Sequence, residues 1–432
     1  MSILTESATG SASYQVMAKP TGPLCNLDCS YCFYLEKEKL YPGTQNWTMP
    51  DEVLETYIRQ YIESQPHDTV SFAWQGGEPT LLGISWFENA LELQKKYANG
   101  KHIENALQTN GITIDGAWGE FFAANHFLVG VSVDGPRELH DAYRLDKGQQ
   151  PTFDRVMRGI EHLRAANVRF NTLTVVTRTN SYHPLEVYEL LKQIGSGFMQ
   201  FIPVVEQKSK RPSPEGLVLL GPAETGAEVT DWSVEPEAFG NFLCTIFDQW
   251  VRNDVGKHFV QLFDVTLELW LGMPPSLCVF SETCGNALAL EHNGDLYSCD
   301  HYVYPENKLG NIMEERLAAL RAAQQQTAFG RAKRDSLPAY CQNCDVRFAC
   351  NGECPKHRFM TTPDGEPGLN YLCPAYKQFF HHVAPYMEFM GRELLNQRPP
   401  ARVMEYARWT DAQLQETHVE AAVLPARASL DR

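Results

Sequence analysis

Three of the chain's twelve cysteines, Cys25, Cys29 and Cys32, fall within one short stretch, and eight more crowd between Cys278 and Cys373. Each group needs a backbone that gathers its sulfurs, and in a reducing compartment clustered thiols read as metal ligands rather than disulfides. The compartment is itself an expectation from sequence. Residues 1–13 are polar, with no charged n-region leading into an apolar stretch, and no segment is apolar enough to span a bilayer. We therefore expect a cytoplasmic protein with no membrane partner. Acidic residues outnumber basic ones 53 to 37, a formal charge of -16. Such a surface repels a phosphate backbone and argues against nucleic acid. The one basic knot, at 331–334, reads as a solvated helix end.

A chain of 432 residues has room for two or three domains. Extended apolar segments at 13–19, 69–74, 103–108, 127–133, 168–176 and 198–205 alternate with helical patterns at 51–64, 84–97, 152–166 and 184–194. This is the β/α alternation of a parallel sheet. Residues 208–230 are rich in Pro, Gly and Ser and read as a loop, followed by a helix at about 235–251. Beyond residue 271, segments 287–290 and 296–298 flank His292-Asn293-Gly294-Asp295, a hairpin signal. A last helical block at 375–396 is interrupted by Pro385. Cys244 lies among Phe242, Ile246 and Phe247 and reads as an apolar filler.

The first cysteine group has the spacing C-x3-C-x2-C. A structural zinc site closes with four ligands, whereas three thiolates on a four-iron cluster leave one iron open, which is a catalytic feature. The run Cys25-Asn26-Leu27-Asp28-Cys29-Ser30-Tyr31-Cys32-Phe33-Tyr34 resembles the radical S-adenosylmethionine superfamily. That resemblance implies an α/β fold built on a partial (β/α)6 barrel, and an open iron that chelates the methionyl group of S-adenosylmethionine. It further implies cofactor contacts from Tyr31, from Gln75, Gly76, Gly77 and Glu78 in a GGEP element, from Thr109 and Asn110, and from Ser132 and Asp134. Arg144 matches an arginine facing the cofactor carboxylate, and Val205 falls on a segment passing the adenine.

Eight further cysteines make two sets of four. Their spacing, with Gly294 between Cys284 and Cys299, resembles the SPASM auxiliary cluster domain. By that resemblance Cys278, Cys284, Cys299 and Cys354 bind one four-iron cluster, and Cys341, Cys344, Cys350 and Cys373 a second. Spacing alone does not separate iron from zinc. The implied domains are a barrel over 1–232, connecting helices over 233–270, a SPASM domain with a β-hairpin over 271–376, and a C-terminal helical segment over 377–432.

Within this group the sequence resembles the anaerobic sulfatase-maturating enzymes over roughly residues 14–376, through the first cysteine run, Gln75-Gly76-Gly77-Glu78-Pro79-Thr80-Leu81, residues 200–206 and Cys299-Asp300-His301-Tyr302-Val303. The resemblance implies a catalytic aspartate at Asp300, three [4Fe-4S] clusters, S-adenosylmethionine, a sulfatase polypeptide as substrate, and an electron donor such as flavodoxin or ferredoxin. The product that the resemblance implies is Cα-formylglycine, made from cysteine or serine. The rival readings are another peptide-modifying SPASM enzyme, forming a thioether or a quinone cofactor, and a zinc-stabilised peptide-binding adaptor.

Overall fold

Six strands, β1 (Gln15–Lys19), β2 (Thr69–Trp74), β3 (His102–Thr109), β4 (Leu128–Ser132), β5 (Phe170–Val176) and β6 (Phe198–Pro203), lie parallel and side by side in chain order in the computed structural model, which describes residues 14–208 and 228–413. The crossover helices Asp51–Ser64, Ile84–Tyr97, Phe153–Ala165 and Pro184–Gln193 stand where the apolar spacing places them. The first buries Val53, Leu54, Tyr57, Ile58, Tyr61 and Ile62, one face at three- and four-residue spacing. Tyr57 packs edge-on against Phe72 and Trp74 of β2.

Strand burial alternates. In β5, Phe170, Thr172, Thr174 and Val176 are buried while Asn171, Leu173 and Val175 face a half-open side. The same period in β2 and β6 leaves the concave face of the sheet partly uncovered, the space in which a partial barrel holds its ligand. Two crossover helices carry no clear period in sequence, Gly116–Ala124 and Arg137–Asp141. Asp115 starts the first by accepting a hydrogen bond from the Trp118 amide at 3.0 Å.

The expected hairpin forms from Ala287–Glu291 and Asp295–Tyr297, with Gly294 at φ +88° in the turn and Lys308–Asn311 as a third strand. Its first strand then pairs parallel with β1, from Gln15↔Ala287 to Lys19↔Glu291, and Phe259–Val260 pairs with β6. The result is one ten-stranded sheet shared by the barrel and the cysteine-rich segment. One hydrophobic cluster runs from Tyr14 to Ala407, across all four expected divisions.

The helix Cys373–Leu395 continues through Pro385 rather than being interrupted there. The lost backbone bond is tolerated because Val383, Tyr386 and Met387 around it are buried, with Tyr386 against Phe247. The basic knot is not all solvated: Arg334 is exposed, but Lys333 is 1% exposed and turned inward. Most of the loop expected at 208–230 lies outside the described residues, and its flanks Gln207–Lys208 and Glu228–Val229 pair antiparallel. Among the described residues no helix is long and apolar enough to cross a membrane.

Candidate active site

The cysteine loop leaves the end of β1 and is bound to the turn after β2. Gly77 donates its amide to the Gly22 carbonyl and Glu78 donates to the Leu24 carbonyl, both at 2.8 Å. A Cβ on Gly77 would sit 1.9 Å from the Leu24 carbonyl oxygen, so only glycine allows this contact. Glu78 is fully buried. Its carboxylate accepts from the Thr80 amide and hydroxyl, from the Thr109 hydroxyl at 2.8 Å and from the Asn110 amide at 2.7 Å. Glu78 thus ties the ends of β1, β2 and β3 into one rim, and its own lone pairs are spent on protein.

Cys25 Sγ accepts from the Leu27 amide at 3.4 Å and from Asn110 Nδ2 at 3.7 Å. Cys25, Cys29 and Cys32 lie close enough for their charges to act on one another. Burial pushes the Cys25 thiol up to about 11 and the Cys29 thiol higher still. Thiols so desolvated ionise readily only when a metal supplies the compensating charge.

Across the rim, Asp134 follows β4. Its Oδ2 accepts from Tyr31 OH at 2.5 Å and from Arg144 Nε at 2.8 Å, and its Oδ1 accepts from the Val175 amide at 3.0 Å. Arg144 is thereby locked with its charge near Cys29. His140, which the sequence reading left out, accepts from the Asp134 amide through Nδ1 at 3.3 Å. Its Nε2 lies 3.1 Å from the Thr152 hydroxyl, which donates to the Arg144 carbonyl at 2.7 Å. Burial and then the Arg144 charge push His140 down to about 4, so at neutral pH it is an uncharged clamp. Ser132 accepts from Gln108 Nε2 at 3.0 Å. Val205 is 2% exposed and packed in the main core. Cys244 is likewise buried there.

Asp300 comes from the cysteine-rich segment yet meets the barrel. Its Oδ1 lies 2.5 Å from Nζ of Lys19, the last residue of β1. Lys19 also donates to Gln75 Oε1 at 3.0 Å and lies 4.3 Å from the centre of the Tyr34 ring. Tyr34 OH donates to Glu291. Burial pushes the Asp300 carboxyl up, but Lys19, His301 and Lys356 together hold it below the usual carboxylate range. Lys19 and Tyr34 were missed as site residues. The signal was a lysine closing an apolar strand that the packing then buries.

The eight later cysteines separate in space. Electrostatic contacts link Cys278, Cys284, Cys299 and Cys354 into one set, and Cys341, Cys344, Cys350 and Cys373 into another. Beside the first set lies Lys333, whose Nζ donates to the carbonyls of Cys278 and Val279 at 2.8 and 2.7 Å. No carboxylate lies within ion-pair distance of it among the described residues. Glu353 acts on this buried ammonium only from beyond ion-pair distance, and a thiolate-bound iron–sulfur cluster, which is anionic, would supply a nearer negative charge. The residues present fit clusters.

Residues 20–191 match the Radical SAM superfamily, and 278–345 match SPASM, an iron-sulfur cluster-binding domain. The chain is 50% identical to a serine-type anaerobic sulfatase-maturating enzyme of Bacteroides thetaiotaomicron, over 90% of this chain and 94% of that one. It belongs to the anaerobic sulfatase-maturating enzymes. A cysteine-type relative from Clostridium perfringens is 34% identical, over 86% of this chain and 96% of its own. The structure of anSMEcpe with bound AdoMet and Cp18Cys peptide superposes with a TM-score of 0.76 at 32% identity, covering 88% of this chain and 99% of that one. As a family member the chain is a radical S-adenosylmethionine oxidoreductase with [4Fe-4S] clusters.

Proposed function

We propose that this enzyme oxidises a serine or cysteine in the signature segment of a sulfatase polypeptide to Cα-formylglycine. In this reading Cys25, Cys29 and Cys32 hold the cluster that binds S-adenosylmethionine, and the two sets of four hold two auxiliary clusters. The cofactor, when bound and reduced, supplies a 5'-deoxyadenosyl radical that takes a hydrogen atom from the target Cβ, leaving 5'-deoxyadenosine and methionine.

The chain's own residues do the rest. Arg144, fixed by Asp134 and Tyr31, offers its remaining guanidinium donors to the methionyl carboxylate. Asn110 and Ser132 stand at the rim for the ribose and the methionyl group, with Gln75, Gly76 and Gly77 beside them. Val205 lines the adenine side through backbone and core packing. Glu78, Thr109 and Asp134 hold the others in place, since their polar atoms are already taken. Asp300 accepts the O–H or S–H proton of the substrate as the carbon radical gives up one electron to an acceptor in the auxiliary domain, so a C=O bond forms from serine, or from cysteine a C=S bond that water then hydrolyses to the aldehyde with release of hydrogen sulfide.

The observation that carries this reading is the Lys19–Asp300 pair. It brings a carboxylate from the cluster-bearing segment to the mouth of the barrel, against the strand that leads into the cysteine loop. The 50% identity to a serine-type enzyme, against 34% to a cysteine-type one, favours a serine target. A flavodoxin or ferredoxin in the cytoplasm is the proposed reductant. The test is anaerobic turnover of matched peptides carrying Ser or Cys in the sulfatase signature. Loss of about two mass units from Ser, faster than loss of about 18 from Cys, is expected. Cleavage of S-adenosylmethionine with neither peptide altered, or a crosslinked product, would refute the sulfatase assignment.

A further inference from the structure

His301 lies between the proton acceptor and the first auxiliary set of cysteines, and it touches two of that set. Its backbone amide donates to Cys299 Sγ. Its Nδ1 lies 3.5 Å from Cys354 Sγ. The ring is held edge-on by Phe33 at 5.8 Å and an 89° interplanar angle, and it leans on His357 at 6.5 Å. Phe33 is the residue directly after Cys32, so the imidazole is fixed by the loop that carries the first cluster's ligands. Lys356 Nζ covers the Phe33 ring at 4.5 Å, and the Lys356 backbone amide also donates to Cys354.

We infer that His301 is a positioning residue that donates Nδ1–H to the Cys354 sulfur and thereby raises the reduction potential of the auxiliary cluster next to Asp300. The donor direction follows from the ligand set proposed above, on which the inference rests. A sulfur bound to iron carries no proton and can only accept, so Nδ1 must hold the hydrogen. Hydrogen bonds to cluster sulfurs stabilise the more negative, reduced state and are a main control on potential. The two backbone donors, from His301 and Lys356, do not depend on side-chain identity. Among the described residues the imidazole makes the one side-chain hydrogen bond to Cys354. Its neighbour in sequence is the proposed proton acceptor itself, so the group that takes the proton and the group that tunes the electron acceptor are consecutive residues.

The test uses the full chain, reconstituted anaerobically, with iron and sulfide counted and potentials read by titration under electron paramagnetic resonance. His301→Phe keeps a ring against Phe33 but removes the donor, whereas His301→Asn keeps an N–H near the Nδ1 position. The expected result is that one cluster, the one whose signal disappears in Cys284→Ala, moves to lower potential in His301→Phe and stays near wild type in His301→Asn. Iron loss in His301→Phe that His301→Asn rescues also supports the bond. Equal potentials in wild type and His301→Phe at full iron, or equal losses in both variants, would overturn it. A wild-type protein with iron at Cys25, Cys29 and Cys32 alone would overturn the ligand set instead, and the two failures are told apart by the iron count.

Discussion

Replacing Asp300 by Asn should separate making the radical from finishing the oxidation. The substitution keeps size and shape but removes the proposed proton acceptor and the negative charge facing Lys19. Breaking a buried ion pair costs about 3–5 kcal/mol when nothing replaces the lost partner. Here the Asp300 side chain is 21% exposed, and Lys19 keeps Gln75 Oε1 at 3.0 Å and the Tyr34 ring at 4.3 Å. The asparagine carbonyl can also accept from the ammonium. The cost therefore falls to about 1–3 kcal/mol, a melting-point drop of a few degrees, and the protein stays folded. Losing a general base slows the step it serves by about 10²–10⁴-fold. The assay quantifies 5'-deoxyadenosine and formylglycyl peptide in the same anaerobic reaction. The nucleoside should form at within about threefold of the wild-type rate while the aldehyde falls at least about a hundredfold. Aldehyde within tenfold of wild type would refute the role of Asp300, and loss of both products with intact iron would mean that the carboxylate serves cofactor binding instead.

Gly77→Ala should drive a Cβ into the Leu24 carbonyl, displace the cysteine loop and lower iron per chain, whereas Gly116→Ala, with nothing within 4 Å of its new Cβ, should leave iron unchanged. Equal iron in both would contradict the account of the GGEP turn. His140 is uncharged in the folded protein down to about 4, against 6.5 unfolded, so on acidification the unfolded chain takes up the proton first. Its contribution, about 3 kcal/mol, is present above pH 6.5 and is lost as pH falls toward 4, and denaturant titrations of His140→Gln should show a shallower loss over that window. Parallel curves would remove His140 as the clamp. Arg144→Lys loses the Nε–H that meets Asp134 and the guanidinium donors left for the cofactor carboxylate, and should weaken S-adenosylmethionine binding about tenfold in anaerobic equilibrium dialysis. Unchanged affinity would place the carboxylate elsewhere.

The barrel was legible because its signals are local. The helices Asp51–Ser64 and Ile84–Tyr97 carry apolar residues at three- and four-residue spacing, and Asn293-Gly294 announces its own turn. The helix Gly116–Ala124 was missed because Trp118, Gly119, Phe121 and Phe122 are all buried and leave little polar contrast to set a period. Pairing of Ala287–Glu291 with β1 joins residues some 270 positions apart and leaves no mark in either segment alone. The site divides in the same way. Cysteines and Gly-Gly-Glu-Pro declare themselves by spacing, whereas Lys19, Tyr34, His140 and Lys333 act through partners that only the fold supplies. Lys333 shows the limit most plainly, since two of its neighbours in a basic run are arginines and only packing distinguishes the one turned toward the cysteines.

In the proposed reaction the cofactor radical takes hydrogen from the Cβ of the target residue, and deuterium tests this directly. A sulfatase-signature peptide with its serine deuterated at Cβ is turned over anaerobically, and the mass of the 5'-deoxyadenosine is read. Nucleoside carrying one deuterium should form in step with formylglycyl product. Nucleoside formed without deuterium while the peptide is oxidised would contradict it.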